Sequence, residues 1–176
     1  MQDVLGRPDW NTYFMSLCYL VSQRSLDPST KHGCVVVAPD NTILVIGYNG
    51  PPRGCNDSEV PLTRPEKYPW MVHSEEAAIA NAAKNGISLD GSTFYITGYP
   101  CSRCLRGIIN AGARMVIYGA RDSACLSDDK EINEKMIHGH KKFLLSVDIR
   151  ETCRKLLIYS LRHKNLFLIQ NQGKGV

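Results

Sequence analysis

Apolar positions at Tyr13, Phe14, Leu17, Leu20 and Val21 recur with helical spacing, which predicts an amphipathic helix from Trp10 to Arg24. Asp27-Pro28-Ser29 supplies its stop. The pattern then changes period. Cys34 to Ala38 and Thr42 to Tyr48 read as strands, joined by a turn at Pro39-Asp40-Asn41. Asn49 to Pro69 is broken by repeated prolines and predicts a long irregular loop, which in a compact domain is usually functional. An alanine-rich helix is expected from Glu75 to Lys84, ended by Asn85-Gly86. A strand from Ser92 to Thr97, a helix from Ser102 to Ala111 closed by Gly112 and a strand from Met115 to Tyr118 follow. This alternation suggests parallel pairing through crossover helices. Further on, Asp128 to Ile137 and Ile149 to Arg162 read as helices, and Lys142 to Val147 and Leu166 to Ile169 as strands.

Composition narrows the class. At 176 residues the chain has the length of one domain, and 43% hydrophobic with 22% charged residues is an ordinary globular balance. We therefore expect a single domain over 1–176. No apolar run reaches the length of a membrane span, and Met1 to Trp10, with Asp3, Arg7, Pro8 and Asp9, does not read as a signal peptide. The seven cysteines are an odd number, which points to a reducing, cytoplasmic setting rather than a disulfide framework. A formal charge of +4 suits anionic, phosphate-bearing ligands without demanding a polynucleotide.

Two short motifs carry the chemistry. His73-Ser74-Glu75 is followed, after a helix and a strand, by Pro100-Cys101-Ser102-Arg103-Cys104. His73, Cys101 and Cys104 supply three zinc ligands, leaving a fourth tetrahedral position for water, which is the mark of a catalytic rather than a structural zinc. Cys101 and Cys104 fall in the first turn of a helix, where the helix dipole favours thiolates. Glu75 is placed near the metal but free to move protons. The pattern H-x-E followed by P-C-x-x-C is that of zinc-dependent nucleobase deaminases, in which an activated water displaces the exocyclic amine of a base. A structural zinc or a redox Cys-x-x-Cys pair would not require the histidine, glutamate and proline together in a helix–strand–helix setting. Cys125, His138 and His140 lack the spacing and the ligand number for a second metal.

With these residues in view, the chain resembles the cytidine and deoxycytidylate deaminase family, and within it the deoxycytidylate branch. Arg24-Ser25-Leu26-Asp27-Pro28-Ser29 is similar to that branch's R-S-x-D-P-S stretch, and Gly47-Tyr48-Asn49-Gly50-Pro51-Pro52-Arg53-Gly54-Cys55 to its G-Y-N-G-x-P-x-G-C loop. Gly98-Tyr99-Pro100-Cys101 carries an aromatic where RNA-directed adenosine deaminases of this fold usually have a glutamate. The resemblance covers 10–119 and fades over 120–176, where Arg150, Arg154, Lys155, Arg162 and Lys164 form a basic cluster. It implies a three-layer α/β/α cytidine-deaminase-like fold with a central, mostly parallel five-stranded sheet. The activity it implies is zinc-dependent hydrolysis of dCMP to dUMP and ammonia, feeding thymidylate synthesis. Asn49 then matches the sugar-binding position. Arg24, Ser29 and Lys31 become phosphate candidates, and Tyr99 a packing partner for the base. The family further implies a homo-oligomer, most often a hexamer, and a dCTP/dTTP effector site around Gly47, Tyr48, Asn49, Gly50 and Arg53, with Mg2+-dCTP as the activator. Two alternatives stay open: the same chemistry on another nucleotide or on a base in a polynucleotide, and a non-catalytic zinc module that senses nucleotides.

Overall fold

A computed structural model describes residues 8–121, 127–138 and 143–146. The expected helix over 149–162, the strand over 166–169, the basic cluster, Cys125 and His140 lie outside these residues.

Helix α1 (Trp10–Ser22) starts at Asp9, whose carboxylate accepts the Thr12 N–H at 3.0 Å, a side-chain cap on an otherwise orphaned donor. It stops two residues short of the expectation. Gln23, Arg24 and Ser25 donate instead to the carbonyls three residues back, tightening the chain into a turn. Strands β1 (Gly33–Val37) and β2 (Ile43–Tyr48) form the expected hairpin, with Asn41 at φ 70° in the connecting turn. The long loop follows, with one 3₁₀ turn at Tyr68–Trp70. Helix α2 (Ser74–Asn85) ends at Gly86 in the left-handed region, as Asn85-Gly86 predicts. Then come β3 (Thr93–Gly98), α3 (Ser102–Asn110), β4 (Met115–Arg121), α4 (Ser127–Ile137) and β5 (Leu144–Ser146).

The sheet order is β2-β1-β3-β4-β5. β1 is antiparallel to both neighbours, while β3, β4 and β5 pair in parallel. Four strands thus point one way, as a mostly parallel sheet requires, although the pairings divide two and two. The reason is the hairpin: it inserts β1, reversed, between β2 and β3.

Burial explains the layers. Val35, Val37, Tyr95 and Ile117 point toward α1 and meet Phe14, Met15 and Cys18. The alternate residues Cys34, Val36, Phe94, Ile96 and Val116 form the other core with Ala78, Ala82, Leu105 and Ile108 from α2 and α3. β1 and β3 are buried on both faces, hence their continuous apolar runs, whereas edge strand β2 alternates.

This topology puts one edge of the sheet to use. β2 and β3 run in the same direction, and α2 and α3 follow them, so both helix N-termini lie at that edge. Antiparallel β1 starts there. Gly47 lets β2 pass close beneath α2: a Cβ on it would lie 2.2 Å from the Ser74 carbonyl oxygen. Gly107 of α3 packs similarly against Ile79 of α2, whose Cδ1 is 3.3 Å from where a Cβ would be.

Candidate active site

His73 is the N-cap of α2 and Cys101 the N-cap of α3, with Cys104 one turn further on. Adjacent helix starts therefore bring together residues almost thirty positions apart in sequence. The His73 Nδ1 atom lies 3.5 Å from Cys101 Sγ and 3.4 Å from Cys104 Sγ, and the three donor atoms fall within 4.8 Å of one another. Zinc bonds of about 2.3 Å to sulfur and about 2.0 Å to nitrogen at a tetrahedral angle put S and N about 3.5 Å apart. The donor set fits that ion in chemistry and in spacing. Crowding of the three groups separates their protonation. Cys101 is held down at about 4, because the Cys104 thiol donates to it and, despite burial, His73 adds to the effect. Cys104 is pushed up by donating to Cys101 and by burial. His73 is raised, first by its contact with Cys101.

Two residues absent from the sequence-based reading fix the helix starts to each other. Glu76 accepts the His73 backbone N–H at 3.0 Å, and its carboxylate pairs with Arg103 of α3, with Nε 2.9 Å from Oε1. Asp129 and Asn133 of α4 brace the cysteine turn: Asp129 Oδ1 accepts the Ser102 N–H at 2.9 Å, and Asn133 Nδ2 donates to the Pro100 carbonyl at 2.9 Å. Glu76 stands three residues after the N-cap His73, the position that Glu takes in a capping box, although His73 is not the Ser or Thr that the sequence signature starts with. The α4 contacts had no sequence signal.

Glu75 is buried, 7% exposed, and its Oε2 accepts the Ser74 hydroxyl at 2.8 Å. Burial raises its pKa above the ordinary carboxylate value, and the Ser74 bond only partly offsets this. Glu75, His73 and Cys101 all line one solvent-connected cleft.

The remaining lining comes from loops. Asn49, 7% exposed, is held by both ends of its amide: Oδ1 accepts the His32 N–H at 2.7 Å and Nδ2 donates to the Thr30 carbonyl at 2.9 Å. Tyr99 lines the cleft and stacks edge-on against Tyr118, with ring centroids 5.1 Å apart. His32, Thr97, Asp27, Arg64 and Lys67 line it too, and none was expected there. Thr97 Oγ1 accepts the Gly33 N–H at 3.2 Å and lies 2.9 Å from His32 Nδ1. Lys67 reaches into the first loop, 2.6 Å from both Asp27 Oδ2 and Ser29 Oγ. Burial alone would raise the Asp27 carboxyl, but the Lys67 bond and those from Ser29 and Thr30 hold it below its ordinary range.

The phosphate candidates are placed differently. Arg24, Ser29 and Lys31 do not line the cleft. Lys31 Nζ donates to the Ser25 carbonyl at 2.6 Å, and Ser29 Oγ lies between Asp27 and Lys67. In the G-Y-N-G loop Tyr48 is 39% exposed, Gly50 bridges to Val72, and Arg53 donates to Asn81 Oδ1 of α2 at 2.6 Å.

Fold and site together define a mixed α/β protein with a three-donor zinc-type centre and a buried carboxylate in one cleft. The chain belongs to the cytidine and deoxycytidylate deaminase family: the model of that family's zinc-binding region matches residues 8–120. It is 40% identical over 116 residues to the deoxycytidylate deaminases of Homo sapiens and Pongo abelii, a match covering 62% of this chain and 64% of theirs. The matched stretch thus spans just under two thirds of the length of those curated relatives. Among solved structures it is similar to the dCMP deaminase of cyanophage S-TIM5 in complex with dCMP and dUMP, at a TM-score of 0.65 and 27% identity over 81% of this chain and 98% of that one. A tRNA A34 deaminase structure shares the fold, at a TM-score of 0.53 and 22% identity.

Proposed function

We propose that the chain is a zinc-dependent deaminase that hydrolyses dCMP to dUMP and ammonia. The observation that carries this reading is the meeting of His73 Nδ1, Cys101 Sγ and Cys104 Sγ at zinc-ligand spacing in the cleft that holds buried Glu75. Likeness to named deoxycytidylate deaminases and to a dCMP- and dUMP-bound relative supplies the substrate.

His73, Cys101 and Cys104 would hold the ion, which when bound supplies Lewis acidity and a water made acidic near neutral pH. Glu75 takes a proton from the attacking water and delivers it to ring nitrogen N3 as C4 of the cytosine gains oxygen. It then passes a proton to the departing amine, so water is consumed and ammonia leaves. Burial suits the task, because a raised pKa makes the carboxylate a stronger base toward the water and brings it nearer neutral pH, where one group can both take and return a proton. Ser74 Oγ fixes one carboxylate oxygen. Asn49, clamped between His32 and Thr30, keeps one amide proton for the sugar, and Tyr99 flanks the base.

The finer reading includes regulation and assembly. Arg53 ties the G-Y-N-G loop to Asn81 of the helix that carries Glu75, which supports an Mg2+-dCTP or dTTP effector site at Gly47–Arg53 coupled to the active site. A homo-oligomer in the cytoplasm belongs to the same reading. The described residues contain no helix long and apolar enough to cross a membrane, and the described cysteines are free thiols. The 176 residues are read as one deaminase domain.

The test is ammonia release by zinc-loaded protein from dCMP, CMP, deoxycytidine, dAMP and short single-stranded DNA and RNA, with and without dCTP. Turnover centred on dCMP is expected. Turnover confined to an adenine nucleotide or a polymer would overturn the substrate, and silence with zinc bound would favour a sensor.

A further inference from the structure

A cleft that prefers a nucleoside monophosphate needs a cation for its phosphate, and the residues that line it leave one well suited. Of the basic side chains there, His73 has its Nδ1 against the two sulfurs. His32 has its Nδ1 on Thr97. Lys67 is 2% exposed, and its charge is matched by Asp27 at 2.6 Å. Arg64 is different. Its side chain is exposed in the lining, and among the described residues it donates a single bond, from Nη2 to Thr30 Oγ1 at 3.2 Å. No carboxylate pairs with it among the described residues.

A guanidinium offers five N–H donors in a planar fork, and its match to phosphate oxygens is bidentate and charge-assisted. One contact to a neutral hydroxyl leaves most of that fork available while setting where it sits. Thr30 is itself fixed, because its N–H donates to Asp27 Oδ1 at 3.1 Å and its carbonyl accepts from Asn49. The chain Asp27–Thr30–Arg64 therefore anchors a cation beside the residue assigned to the sugar.

We propose that Arg64 is the phosphate clamp, the residue that makes this cleft select a nucleoside 5′-monophosphate over the free nucleoside, with Thr30 as its positioning residue. The inference rests on the deaminase reading for its choice of ligand. It shifts the phosphate contact from the loop of Arg24, Ser29 and Lys31 to the loop before α2.

The experiment compares zinc-loaded wild type with Arg64→Ala, Arg64→Lys, Thr30→Val, Arg24→Ala and Lys31→Ala. Turnover of dCMP and deoxycytidine is measured, and so is equilibrium binding of the product pair dUMP and deoxyuridine. Arg64→Ala should lower the preference for dCMP over deoxycytidine on the order of 10- to 100-fold, mostly through KM, the size expected for charge-assisted bonds made in ground and transition states alike. The dUMP preference in binding should fall in step. Arg64→Lys should restore part of it, Thr30→Val should lower it by less, and Arg24→Ala and Lys31→Ala should leave it near wild type. Parallel losses on phosphorylated and unphosphorylated ligands would overturn the clamp, as would an unchanged preference in Arg64→Ala. If wild type turns over neither substrate, the deaminase reading fails, while the binding ratios still decide for or against Arg64.

Discussion

The part of the cleft that holds the metal donors is built from two adjacent helix N-termini, those of α2 and α3, whereas much of the remaining lining is built from loops that hold one another. In the first, His73, Cys101 and Cys104 take their positions from α2 and α3, which the sheet already places side by side, and Glu76 and Arg103 finish the job. In the second, the loop after α1 and the loop before α2 meet through Lys67, Asp27, Ser29 and Thr30. On the proposed reading, chemistry rests on the helix starts and selectivity on side-chain bonds between the two loops. The difference teaches where damage should appear. Changes at the helix starts should remove metal or turnover at little cost in fold, while changes at the loop clasp should cost stability first.

Replacing the proton carrier gives the largest effect. Glu75→Gln should keep its zinc and its fold and lose turnover by about 10⁴-fold, the upper range for a general acid–base; a rate within tenfold of wild type would remove Glu75 from the mechanism. Next comes the clasp. Lys67→Met leaves the buried Asp27 carboxylate without its counter-charge and should lower stability by about 3 kcal/mol in denaturant unfolding. A loss under about 0.5 kcal/mol, the scale of an exposed pair, would mean that the loops do not depend on it.

The brace between the helix starts should matter less. Glu76→Ala releases the His73 N–H and Arg103 together, and should weaken zinc about tenfold in a chelator competition with the fold intact. Unchanged affinity would show that the sheet alone sets the donor spacing. The smallest effect is in acid. The Asp27 pKa is depressed in the folded chain, so between its ordinary value of 3.8 and the lower folded value the unfolded chain binds more protons. Stability from this group is complete above that ordinary value and is lost as pH falls through the folded one. Asp27→Asn should therefore be less stable than wild type at neutral pH and show a shallower loss of stability below about pH 4. Identical acid slopes would remove the group from the balance.

The same contrast explains what could be read from the chain before its structure. Zinc chemistry imposes residue types at fixed spacing, so His73, Glu75, Cys101 and Cys104 stood out, and apolar periods and turn signals located every described α-helix and strand to within two or three residues, though not the 3₁₀ turn at Tyr68–Trp70. Phosphate binding imposes no spacing. A lysine or arginine in a proline-rich loop looks the same whether it faces solvent or a cleft, so Lys67 and Arg64 passed unnoticed, while Lys31 donates to the Ser25 carbonyl and does not line the cleft. His32 and Thr97 were hidden for another reason: they meet only because β1 runs antiparallel beside β3, a pairing that periodicity does not specify. The reversed β1 was legible in its hairpin turn, but its place between β2 and β3 was not.

The most direct test of the account is the zinc content of purified, folded protein, measured by elemental analysis on wild type and on Cys101→Ser/Cys104→Ser. One zinc per wild-type chain, and none in a double variant that keeps its helical content, is the predicted result. A folded wild type that takes up no zinc from solution, or a double variant that retains it, would contradict the assignment of the centre and the mechanism built on it.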